Sequence, residues 1–191
     1  MKAAFLLCFG LAACCADAWS APSLYIVDPQ HTFPSFEADH MGISVWRGKF
    51  NKTTGQASLD KSAGTGTVEV TIDAASIDFG HAKLNAYVAG PDQLDAAKFP
   101  TATYKGTLGA FVDGAPTSVN GELTMRGVTR PVALKINSFR CIPHPIFKRE
   151  LCGADAFGTF RRDAFGMDYG EKWGFKPDVT LRIQVEALKT E

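Results

Sequence analysis

Val179-Thr180-Leu181-Arg182-Ile183-Gln184-Val185-Glu186 alternates an apolar with a polar residue at every step. Successive side chains of an extended strand point to opposite faces, so this stretch has one dry face and one wet one. The same rhythm recurs upstream. Val68, Val70 and Ile72 alternate with Glu69, Thr71 and Asp73; Val119, Gly121, Leu123 and Met125 with Asn120, Glu122, Thr124 and Arg126; Val132, Leu134 and Ile136 with Ala133, Lys135 and Asn137. Gly64-Thr65-Gly66 and Asp113-Gly114 punctuate these runs as turns. About eight such strands with short connections describe an antiparallel barrel or sandwich. The rhythm lapses only between Ile77 and Phe99, where His81 to Val88 and Asp92 to Lys98 read as short helices limited by Pro91 and Pro100.

The chain opens differently. Lys2, the apolar run from Ala3 to Cys15, and Ala16-Asp17-Ala18 have the order of a secretory signal, cleaved after Ala18. The apolar run is shorter than the roughly 20 residues that span a bilayer. The expected organisation is therefore a signal peptide over 1–18 and one domain over 19–191, exported to the periplasm. Leu11-Ala12-Ala13-Cys14 also resembles a lipobox, and lipidation at Cys14 is the alternative fate.

Lys plus Arg number 20 and Asp plus Glu 20, leaving no net charge. Neutrality argues against nucleic-acid binding, whose affinity comes largely from neutralising phosphates. Cys141 and Cys152 are the only cysteines after the signal. In an oxidising compartment, two cysteines closing a short loop read as a disulfide, and zinc needs more ligands than His144 between them supplies. No metal site is expected.

Catalysis has no positive signal. His31 and His40 are nine residues apart, which places them on opposite faces of one strand. His40 shares the dry face with Thr32, Pro34, Phe36 and Ala38, whereas Ser35, Glu37 and Asp39 share the wet one. Asp39, His40 and Ser44 do not form a triad, and no nucleophile elbow, P-loop or dinucleotide fingerprint is present. His81 and His144 read as surface residues, and Arg161-Arg162 as a solvated turn. The aromatic content points elsewhere: of the 14 phenylalanines, the twelve that follow the signal fill a core, while small residues on inward faces (Ala38, Gly48, Ala57, Gly121) leave room for a ligand.

Particular strings resemble the YceI-like family. They are Asp28-Pro29-Gln30-His31-Thr32, Asp39-His40-Met41-Gly42, Trp46-Arg47-Gly48-Lys49-Phe50, Ser76-Ile77-Asp78, Lys98-Phe99-Pro100-Thr101-Ala102, the run from Gly121 to Val132, and Asp163-Ala164-Phe165-Gly166-Met167. The resemblance spans Tyr25 to Leu188. It implies an all-β fold, an eight-stranded antiparallel lipocalin-like barrel with a short helical insertion. It also implies binding of an isoprenoid lipid, a quinone or polyprenyl chain, inside that barrel, with no cofactor and no covalent chemistry. Phe36, Trp46, Phe50, Leu123, Met125 and Leu181 are the expected lining, with His40 near the polar end. Transient contact with the inner membrane and a homodimer are the further partners this allows. Phe79 to Gly90 departs from the family pattern, which leaves head-group preference open. The alternatives from other classes are an enzyme with His40 as general base, and a stress-protective periplasmic domain without ligand.

Overall fold

The computed structural model describes residues 21–191; the signal peptide expected over 1–18, with Cys14, lies outside them. Eleven strands run in chain order: β1 Ser23–Val27, β2 Phe33–His40, β3 Ser44–Phe50, β4 Thr53–Asp60, β5 Thr65–Asp73, β6 Ile77–Asp78, β7 Thr101–Gly109, β8 Ser118–Met125, β9 Val128–Pro143, β10 Glu150–Arg161 and β11 Asp178–Lys189. Among the described residues one α-helix, α1, spans Ala82–Ala89. Every strand pairing is antiparallel, in the order β1-β4-β5-β7-β8-β9-β10-β11, and β11 pairs back to β1. This closes an eight-stranded barrel, as expected.

The remaining three strands continue existing ones. β11 pairs with β1 through Ala187 to Lys189 and with β2 through Val179 to Gln184. β2 pairs with β3 as β1 pairs with β4, and β6 pairs with β3 as β5 pairs with β4. Three of the eight ribbons are thus each interrupted once, which lets one end of the barrel flare.

A break in a wall strand strips its neighbour of ladder partners, and buried backbone groups must find others. Side chains supply them here. At the β1–β2 break, the Glu186 N–H donates to Thr32 Oγ1 (3.1 Å) and Thr32 Oγ1 donates to the Glu186 carbonyl (3.2 Å). The Asp28 N–H joins at the same carbonyl, 2.8 Å away. Ser76 does the equivalent where β3–β4 meets β5–β6. Its hydroxyl accepts from the Lys52 N–H (3.0 Å) and donates to the Asp73 carbonyl (2.7 Å).

The helical insertion is half as expected. His81 is the N-cap of α1, its Nδ1 accepting from the Leu84 N–H at 3.2 Å. Asp92 to Lys98 is not helical. The Leu94, Ala96 and Asp95 amides bond back to the Val88, Ala89 and Gly90 carbonyls, and Asp95 adopts a left-handed φ of 49°. This folded-back turn buries Leu94 in the main core, a tertiary gain that overrides local helix preference.

The interior holds two clusters. The larger centres on Ile77, Leu123, Met125, Val132, Leu134 and Phe165. The smaller, of Tyr25, Leu59, Cys152 and Ala187, fills the end opposite the flare. Cys141 and Cys152 face each other in the β9–β10 register with Cα atoms 4.0 Å apart.

Thr32→Val removes the hydroxyl but keeps the shape, leaving the Glu186 amide unpaired. The expected loss is about 1–3 kcal/mol, read as a lower urea midpoint at unchanged slope, with Thr32→Ser close to wild type. A valine variant as stable as wild type would show that the hydroxyl does not close this seam.

Candidate functional site

The barrel encloses a cavity of about 760 Å³, within the range of small-molecule sites. Alternation builds it directly. Tyr104 and Ala102 of β7, Val119, Leu123 and Met125 of β8, Val132, Leu134 and Ile136 of β9, and Val179, Leu181, Ile183 and Val185 of β11 all line it. Lining residues on β10 extend from Cys152 to Phe160, and Arg162 lies just beyond that strand. Ten steps at about 3.3 Å each, inclined at roughly 40°, make it ~25 Å deep.

Of the seven residues expected to contact a ligand, six border this space: Phe36, Trp46, Phe50, Leu123, Met125 and Leu181. His40 does not. Its ring stacks on Trp46 (centroids 4.1 Å apart, 18° between planes) and meets Phe175 edge-on at 5.0 Å. It buttresses the wall from outside the lining. His40 lies on the strand face expected from parity, the face of Ala38 and Trp46, but the larger indole beside it occupies the cavity surface. Glu37 lies on the wet face as expected, bonded to Arg47 (3.0 Å) and Arg182 (3.4 Å).

Two of the small inward residues do not provide room. A Cβ on Gly48 would lie 2.6 Å from Phe36 Cζ and 3.1 Å from the Phe79 ring, and one on Gly121 would lie 2.5 Å from Tyr104 Cζ. The rings lie over these glycines and fill what the missing side chains vacate. Tyr104 is fixed there by donating to the Val132 carbonyl (2.9 Å), and burial pushes its hydroxyl pKa up to about 12. The room comes instead from alanines: Ala38, Ala57, Ala102 and Ala156 border the cavity.

The flared end is the mouth. Met41, Tyr87, Tyr169 and Trp173 line it while remaining exposed, and the β2–β3 tip adds Ile43, 77% exposed. Tyr169 packs edge-on against Tyr87 (6.1 Å) and Trp173 (5.1 Å). Polar groups on the lining include Asp39, Gln93, Arg162 and Lys176, with Lys176 4.0 Å from Asp39. Arg162 is not the solvated turn expected from sequence. Its Nη1 donates to the Met167 and Tyr169 carbonyls, and its Nη2 is buried. His144 caps its own turn through Nδ1, which accepts from the Ile146 and Phe147 amides at 3.1 and 3.2 Å.

At the filled end the Tyr25 hydroxyl donates to Glu150, and Lys61 Nζ reaches both Glu150 oxygens at 2.8 Å. Burial pushes the Tyr25 pKa above the usual tyrosine range, and the acceptor Glu150 adds to this. For Glu150, burial works upward, but hydrogen bonds from Lys61 and Tyr25 and the charges of Lys61 and Lys189 outweigh it. Its carboxyl is held below the ordinary value.

The model of the YceI-like domain matches residues 25–187. A UPF0312 protein of Shewanella sp. strain W3-18-1 is 34% identical over 177 residues, covering 86% of this chain and 87% of its own. Among solved structures, Burkholderia cenocepacia BcnA superposes with a TM-score of 0.66 at 24% identity, covering 84% of this chain and 98% of its own. A Saccharophagus degradans domain described as polyisoprenoid binding superposes at 0.63 with 14% identity, covering 87% and 98%. These two likenesses establish the fold.

A depressed Glu150 pKa stabilises the fold fully above the unfolded value of about 4.3 and progressively less as pH falls through the folded one. Glu150→Gln should therefore be less stable than wild type at pH 7, with the gap narrowing below about pH 4. Denaturant midpoints across pH 3–7 check this; a gap independent of pH would contradict it.

Proposed function

We propose that this chain, a member of the YceI-like family, is an exported binding protein that carries an isoprenoid lipid lengthwise inside its barrel. One observation carries the reading: a deep, almost wholly apolar cavity with an aromatic mouth. An isoprenoid chain, whether of a quinone or a polyprenyl compound, gains about 25 cal/mol for each Å² of apolar surface it removes from water. The polyisoprenoid-binding description of the Saccharophagus domain supports the same ligand class.

The exposed rim supports a second element, transient contact with the inner membrane. Met41, Ile43, Tyr87, Tyr169 and Trp173 surround the opening. Tyrosine and tryptophan suit the membrane–water interface because one end of each ring system is polar. A lipid leaving the bilayer through such a rim avoids open water.

Export rests on residues 1–18. Cleavage after Ala18 gives a diffusing periplasmic carrier, and lipidation at Cys14 a tethered one. An oxidising destination suits a disulfide between Cys141 and Cys152, whose sulfurs adjoin across β9 and β10. We read the protein as a binder and not an enzyme. The one general-base candidate, His40, is packed between Trp46 and Phe175 and stands off the cavity lining.

Protein purified natively from its own host should release an isoprenoid on extraction, identified by mass spectrometry. Ala156→Phe places a ring in the cavity wall and should abolish retention while the barrel still unfolds cooperatively. An empty wild-type barrel with no affinity for ubiquinone or polyprenol would overturn the reading. Reduction, or Cys141→Ser with Cys152→Ser, should cost about 2–3 kcal/mol of stability by loop-closure entropy. Identical unfolding with and without reductant would mean that the bond is not formed.

A further inference from the structure

Arg162 is the one cationic side chain on the lining with a buried, unpartnered donor among the described residues. It follows β10 at the mouth end, where its backbone N–H donates to the Pro177 carbonyl (2.9 Å). The guanidinium uses Nη1 alone, to hold the Met167 and Tyr169 carbonyls. Nη2 is shielded from solvent and has no acceptor among the described residues. No described carboxylate forms an ion pair with Arg162: neighbouring Asp163 is taken by Arg161, and Asp39 accepts from the Gly42 N–H (2.9 Å) and pairs with Lys176 at 4.0 Å.

A buried donor on a charged group is costly to leave unmade, and the surrounding wall offers carbon. The Phe165 and Met167 amides bond to the Arg162 carbonyl (3.1 and 3.2 Å), which ties the backbone of this arginine to the buried core residues that follow it. Arg162 therefore keeps one N–H-bearing nitrogen unspent, on a side chain that lines an apolar cavity close to its opening.

We infer that Arg162 anchors the head group of the bound lipid, its Nη2 turning into the cavity to donate to an acceptor oxygen. This rests on the reading of the barrel as an isoprenoid-binding cavity. It gives the ligand a direction: the hydrocarbon chain runs toward Tyr25 and Leu59, and the oxygen-bearing end stays at the mouth beside Tyr169. A phosphate oxygen and a quinone carbonyl share the required chemistry. A hydrocarbon of equal length lacks it.

The test titrates delipidated full-length mature protein with three probes: geranylgeranyl phosphate, ubiquinone-2 and phytane. Wild type should bind at least one oxygen-bearing probe about tenfold or more tighter than phytane. Arg162→Met should cut that preference to about twofold or less while phytane affinity stays the same. Arg162→Lys keeps the charge but loses the forked donor, and it should retain only part of the preference. If Arg162→Met does not fold, the lysine variant alone decides. Loss confined to the phosphate identifies an anionic head group, and loss confined to the quinone a neutral carbonyl. A preference that survives in both variants would overturn the assignment. So would an equal weakening of all three probes, since that marks Arg162 as a holder of the 163–170 loop only. Wild type that binds none of the probes would instead remove the binding reading itself.

Discussion

A closed β-wall has no edge, so each backbone amide must find its partner within the ring. In this chain the ring closes where β11 meets the first ribbon, and that ribbon is broken between Val27 and Phe33. The seam holds because the Thr32 hydroxyl acts as both acceptor and donor for Glu186. Everything else depends on this closure. Beyond the break the wall continues as β2, β3 and β6, and among the described residues β6 pairs with β3 but not with β7, so the ladder is open at the mouth end. The opposite end is filled by Tyr25, Leu59, Cys152 and Ala187.

Within this wall, inward positions divide into filled and empty. Glycines 48 and 121 are filled, because aromatic rings lie across them and stiffen the strands at points that would otherwise bend freely. Alanines 38, 57, 102 and 156 keep the neighbouring space open. The result is an apolar cavity with different polar groups near its two ends. At one, Tyr25, Glu150 and Lys61 satisfy one another; at the other, Arg162 keeps a donor in reserve. That asymmetry makes a directional ligand, with a chain and a head, a better match than a symmetrical hydrocarbon.

The sequence carried most of this fold because alternation of apolar and polar residues follows directly from strand geometry. β5, β8, β9 and β11 could be read from that pattern alone, and six lining residues followed from it together with the family resemblance. What sequence hid was set by tertiary contact. The interrupted ribbons depend on hydroxyl-to-backbone bonds between residues as distant as Thr32 and Glu186. Asp92 to Lys98 has helix-compatible composition, but burying Leu94 required a turn folded back on α1. His40 had the correct parity and lost its place on the lining to Trp46. Arg162 looked like part of a charged turn because its acceptors, the Met167 and Tyr169 carbonyls, are backbone groups that no side-chain pattern reveals.

The central claim is that the barrel interior is an open apolar cavity that removes an isoprenoid chain from water. Burial of apolar surface on binding lowers the heat capacity. The most direct measurement is titration calorimetry at several temperatures with prenols of increasing chain length. The account predicts a heat-capacity change that grows more negative with each added isoprene unit until the cavity is full, then levels off. A heat-capacity change near zero at every length would contradict it.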